Sequence, residues 1–115
     1  MSGSEKRASE RENCYAKLVL SEDKLPGYIR DVSLLGFRIE IPGDIDIETG
    51  KEINARVIPM EETEGDAFGV RLEVRWVRKE EPFTAVGMRL IELESDQARL
   101  EYNRLIEYYD TNLTE

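Results

Sequence analysis

Two arginines, Arg7 and Arg11, stand four residues apart in KRASER, a charged stretch whose one apolar residue is Ala8. A guanidinium fork can grip a phosphate bidentately, hold the O6/N7 edge of a guanine, or stack on a base. Two of them on one arm can close over an anionic ligand, although a solvated tail fits R-x-x-x-R equally well. A second stretch, DVSLLG (Asp31 to Gly36), carries complementary chemistry. Asp31 is an acceptor-only carboxylate, able to receive the paired N–H groups of a guanine Watson–Crick edge. In an extended chain Ser33 points to the same side as Asp31 and adds a hydroxyl. Gly36 has no side chain, so a ligand can approach its backbone closely. The same residues would also serve a plain strand-to-turn corner, with Asp31 and Ser33 satisfying turn amides.

Composition narrows what such groups can do. The chain has 115 residues, enough for one domain, and its 40% hydrophobic content supports a modest core. The net charge of −9 disfavours a general DNA or RNA binder, which relies on clustered Lys and Arg. An anionic ligand must therefore be held by a local group of cations. Histidine is absent, which removes the usual general base, the commonest metal ligand and every Ser-His or Cys-His nucleophile. No Walker, Rossmann or nucleophile-elbow glycine pattern occurs. A binding module is expected, not an enzyme, with no cofactor and no metal. Asp44, Asp46 and Glu48, and the loop acids Glu61 to Asp66, lack EF-hand spacing and read as a solvated surface. Cys14 is the single cysteine and falls on an apolar strand face, so it reads as core, and a reducing cytoplasm is the expected location. MSGSEKRASER lacks an apolar stretch, and no run approaches the roughly 20 apolar residues of a membrane helix.

The elements that must position these groups alternate with period two. Cys14, Ala16, Leu18 and Leu20 share one face; Phe37, Ile39 and Ile41 share another; Ile53, Ala55 and Val57 follow. Val70, Leu72, Val74 and Trp76 form the cleanest row, and Val86, Met88 and Leu90 the last. Pro26-Gly27, Leu35-Gly36, the PGDIDIETG loop and the EETEGD connection separate these runs. Six short antiparallel strands imply a mainly β fold, a closed barrel without exposed edges. Ser95 is an N-cap with Asp96 in the first turn, and Ala98, Tyr102, Leu105 and Tyr109 recur at helical spacing beside Ile106. The expected organisation is a flexible arm over 1–12, a barrel over 13–93, and a C-terminal helix over 94–111 lying on the barrel or on a partner.

Arg7-x-x-x-Arg11 followed by Asp31-x-Ser33-x-x-Gly36 resembles the signature of the PilZ domain family. The Val74-Arg75-Trp76 strand end, the Val86–Leu90 strand and the closing helix extend the resemblance over essentially the whole chain. It implies a six-stranded barrel that receives cyclic di-GMP in bacteria. By that resemblance Arg7 and Arg11 contact phosphate and guanine, Asp31 and Ser33 read a guanine, and Gly36 leaves room for it. Three further positions are softer: Arg38 extends the site, Trp76 flanks the ligand or sits in the core, and Lys6 helps hold a stacked ligand pair or is solvated. Ligand would order the arm and present a new surface to a downstream protein, with a second copy of the chain another candidate partner. The competing readings are an adaptor of the same fold that binds no nucleotide, and an OB-type nucleic-acid barrel disfavoured by the charge.

Overall fold

The computed structural model describes residues 16–22, 24–60 and 65–114, with side chains described as far as residue 108. Six strands run β1 Ala16–Leu20, β2 Pro26–Ser33, β3 Gly36–Pro42, β4 Glu52–Pro59, β5 Phe68–Lys79 and β6 Phe83–Leu93, followed by helix α1, Asp96–Thr114. All pairings are antiparallel, in the order β1-β2-β3-β6-β5-β4, and β1 pairs again with β4 to close a barrel.

The apolar rows point inward as their period requires. Leu18, Ile29, Ile39, Val57, Leu72, Val74 and Val86 are fully buried and fill the barrel. Tyr102 and Leu105 of α1 join the same core, while Ser95 Oγ accepts the Ala98 N–H at 3.1 Å and caps the helix. The helix therefore lies on the barrel, against β2, β5 and β6. Buried Thr84 pins the β3–β4 loop, donating to the Gly43 carbonyl at 2.8 Å and accepting from the Ile45 N–H at 3.0 Å. In that loop the Lys79 ammonium reaches Asp44, and Asp46 at 2.9 Å. These hydrogen bonds, Asp44 first, raise the Lys79 pKa. Asp44 and Asp46 thus already share a cation, and among the described residues no group of three metal-ligating side chains comes together.

Strict alternation fails at three places among the described strands; one leaves Ile91 extra on β6 opposite Arg71 and Leu72, and the other two bear on the site. Ile29 pairs with Ile39 and Asp31 with Arg38, so Arg30 is an extra residue on β2. Likewise Val74 pairs with Met88 and Trp76 with Gly87, leaving Arg75 extra on β5. A bulge of this kind reverses which face the following side chains occupy. Trp76 consequently leaves the row it was expected to share with Val74. Val74 is fully buried and Trp76 is 37% exposed on the outer wall.

Candidate functional site

The bulges at Arg75 and Arg30 act on the same patch of outer wall. Ile29 is buried, and simple alternation would put Asp31 beside it in the core. The extra Arg30 turns Asp31 outward instead, while Val32 resumes the inward row. Across the sheet from Asp31 lies Arg38, next Gly87, and next Trp76, one residue from each of β2, β3, β6 and β5. Arg38 Nε donates to Asp31 Oδ2 at 2.6 Å, and its Nη1 stands 3.8 Å from Glu40. A carboxylate offers about four lone-pair directions, so Asp31 is of a type that can accept more than one hydrogen bond.

Gly87 is a glycine because Trp76 lies on it. A Cβ there would stand 2.1 Å from Trp76 Nε1 and 2.3 Å from Cε2. The indole is thereby held against the wall with part of its surface exposed. The Arg78 guanidinium sits 5.1 Å from its centroid, a cation–π contact.

One row further along, Ser33 pairs with Gly36 across a two-residue turn, Leu34-Leu35. Ser33 Oγ accepts the Leu35 N–H at 3.1 Å, so its own proton remains available for donation outward. The Ser33 carbonyl accepts the Tyr102 hydroxyl of α1. Gly36 has a structural reason distinct from ligand access: a Cβ would stand 2.0 Å from the Met88 carbonyl oxygen on β6. Next to Gly36 is Arg89, whose Nε and Nη2 lie 2.9 and 2.8 Å from Glu73 Oε1. The bulged Arg75 approaches the same oxygen at 3.6 Å.

These rows frame a shallow depression of about 270 Å³. Among the described residues its lining includes Ser33, Leu35, Arg38, Arg75, Trp76 and Arg89, with three arginines and no carboxylate. A larger hollow of about 330 Å³ between β4, β5 and β6 is different in kind, because Glu92 and Glu94 line it alongside Arg56 and Arg71. On a chain of net charge −9, the first depression gathers three guanidinium groups beside an aromatic face, each already paired with a carboxylate at its edge, Arg38 with Asp31 and Arg75 and Arg89 with Glu73.

The PilZ domain family matches residues 5–109. The chain belongs to this family. PilZ domains are binding domains rather than enzymes, generally receptors for cyclic di-GMP that act on partner proteins. No curated protein and no solved structure matches the chain. No helix among the described residues is long and apolar enough to cross a membrane.

Of the positions singled out in sequence, this PilZ domain brings Asp31, Ser33, Gly36, Arg38 and Trp76 onto one outer face. Lys6, Arg7 and Arg11 lie outside the described residues. Arg75, Arg89 and Leu35 were not singled out, although they line the same depression. Leu35 stands between Ser33 and Gly36, so its place in the turn marks it. Arg89 becomes a neighbour of Gly36 only when β3 pairs with β6, and Arg75 joins the same patch only when β5 pairs with β6.

Proposed function

We propose that this PilZ domain is a receptor for cyclic di-GMP that binds on the outer face framed by β2, β3, β6 and β5. The supporting observation is the depression lined by Arg38, Arg75, Arg89 and Trp76, with no carboxylate lining it among the described residues, beside the Asp31–Gly36 turn. Trp76 offers a face for a guanine to stack on, and the arginines face its phosphates. Asp31 accepts from a guanine Watson–Crick edge, and Ser33 donates its hydroxyl proton to a ligand acceptor. Arg7 and Arg11 reach over the ligand from the preceding segment, with Lys6 beside them.

Holding those residues against the barrel costs about 1–2 kcal/mol per residue in backbone entropy. Micromolar affinity needs roughly −8 kcal/mol net. Charge-assisted hydrogen bonds of about 1.5–3 kcal/mol each therefore have to act together with stacking. The ordered arm and its neighbours form the surface read by a downstream protein in a bacterial cytoplasm. Titration calorimetry with cyclic di-GMP, against GTP and cyclic di-AMP, tests the reading. Selective saturable binding is expected, and its stoichiometry separates one ligand from a stacked pair. No heat with cyclic di-GMP overturns the proposal.

One observation favours the alternative of an adaptor that binds no nucleotide. Leu34 and Leu35 are 69% and 78% exposed at the tip of the turn, and exposed leucines suit a protein surface better than a phosphate site. That reading gains if the titration is silent and a partner protein contacts these leucines.

A further inference from the structure

A single hydroxyl links the candidate site to helix α1. Tyr102 is 1% exposed, in the middle of α1, with its ring edge-on to Phe37 at 5.5 Å and to Phe68 at 6.3 Å. A phenylalanine would fill that packing equally well. The hydroxyl earns its place only through its acceptor, because a buried O–H without a partner is costly. That acceptor is the backbone carbonyl of Ser33. The neighbouring Glu101, 3% exposed, accepts the Asp66 N–H at 3.1 Å and Gln97 Nε2 at 2.9 Å. The helix is thus tied to the barrel at two adjacent residues, one to the loop before β5 and one to the turn carrying Ser33.

On the other side of that turn, Ser33 Oγ is tied to the Leu35 amide and the Leu35 carbonyl accepts the Leu90 N–H at 2.8 Å. The turn is therefore held from inside by Tyr102 and from the sheet by Leu90. Its outward product is the orientation of the Ser33 hydroxyl. We infer that Tyr102 is a positioning residue for the ligand site, setting Ser33 from within the core so that its hydroxyl addresses the guanine. The inference rests on the cyclic di-GMP reading. It adds to that reading a residue which does not itself touch ligand, and it gives α1 a direct mechanical stake in occupancy of the turn.

A double-mutant cycle on the full chain tests this, with cyclic di-GMP titrated calorimetrically into the unaltered protein, Tyr102→Phe, Ser33→Ala and the double variant. Tyr102→Phe keeps the ring and should retain the fold. It is expected to weaken binding about three- to tenfold, the effect of one hydrogen bond. In the Ser33→Ala background the same change should have almost no further effect, because the hydroxyl it positions is gone. Amide exchange supplies a readout that needs no ligand: Leu35 N–H should exchange several-fold faster in Tyr102→Phe. Equal affinity of Tyr102→Phe and the unaltered chain, full additivity of the two changes, or unchanged Leu35 exchange each overturns the inference and leaves the receptor reading standing. Absence of binding by the unaltered chain instead overturns the receptor reading, and the positioning role falls with it.

Discussion

Gly36→Ala separates two reasons for the same residue. As part of the PilZ motif the glycine would leave room for ligand; in the sheet it leaves room for β6. The added Cβ stands 2.0 Å from the Met88 carbonyl oxygen and 3.0 Å from the Arg89 Cα. Carbon–oxygen contacts between strands settle near 3.3–3.6 Å, so β3 and β6 must part locally by roughly 1 Å. The obstacle is backbone on both sides, which leaves no rotamer to adjust. Overpacking of this sort costs about 1–3 kcal/mol, and loosening one ladder hydrogen bond adds about 1 kcal/mol. The expected loss is about 2–4 kcal/mol, which for a chain of this size lowers Tm by roughly 8–16 °C. Thermal unfolding of the ligand-free variant, followed by circular dichroism, measures it directly. An unchanged Tm accompanied by lost ligand binding would falsify the sheet-contact argument and return Gly36 to a purely ligand-facing role.

Other changes bear on charge and stacking. Glu73→Gln removes the carboxylate that holds Arg89 and Arg75, so cyclic di-GMP should bind about two- to fivefold tighter, the scale of a surface ion pair. Weaker binding in that variant would mean that Glu73 orients the arginines for ligand instead of competing with it. Trp76→Ala should weaken binding by about 1–3 kcal/mol through lost stacking, with isothermal titration as the check. Affinity equal to that of the unaltered chain would take the indole out of the site. Burial pushes the Tyr102 phenol pKa up, so above about pH 10 the unfolded chain releases a proton that the folded chain keeps. Stability from this group is complete below pH 10 and falls as pH rises beyond it. Urea unfolding at pH 9 and pH 11 should show a smaller alkaline loss for Tyr102→Phe, and equal losses would contradict the sign.

The barrel could be read from the chain because a closed sheet with a filled interior imposes a period of two on every strand. The Ser95 cap and a break at Leu35-Gly36 were readable for similarly local reasons, the turn itself falling one residue earlier at Leu34-Leu35. Trp76 was misphased because a bulge costs one residue and has no signature of its own in RWV. The same device at Arg30 happened to agree with the sequence reading, since Asp31 and Ser33 share a face whichever way Ile29 points. Arg75 and Arg89 were invisible for a different reason: their company with Gly36 and Arg38 comes from β3–β6 and β6–β5 pairing, which joins residues far apart in the chain. Local patterns specify strands well and specify neighbours across a closing sheet poorly.

Closure also limits how this domain can be recognised. Each of the six strands already has a partner on both sides. Along the stretches paired on both sides, a binding protein that extends a sheet by donating its own strand finds no unpaired row of amides, whereas the Trp76–Lys79 end of β5 pairs with β6 alone among the described strands. Elsewhere recognition is left to side chains and to the helix, whose Leu100 is 60% exposed away from the barrel. Over most of the wall, then, a message passed on by this fold is carried by relief and charge on its surface, since the hydrogen-bonding grammar of the backbone is spoken for wherever both neighbours are present.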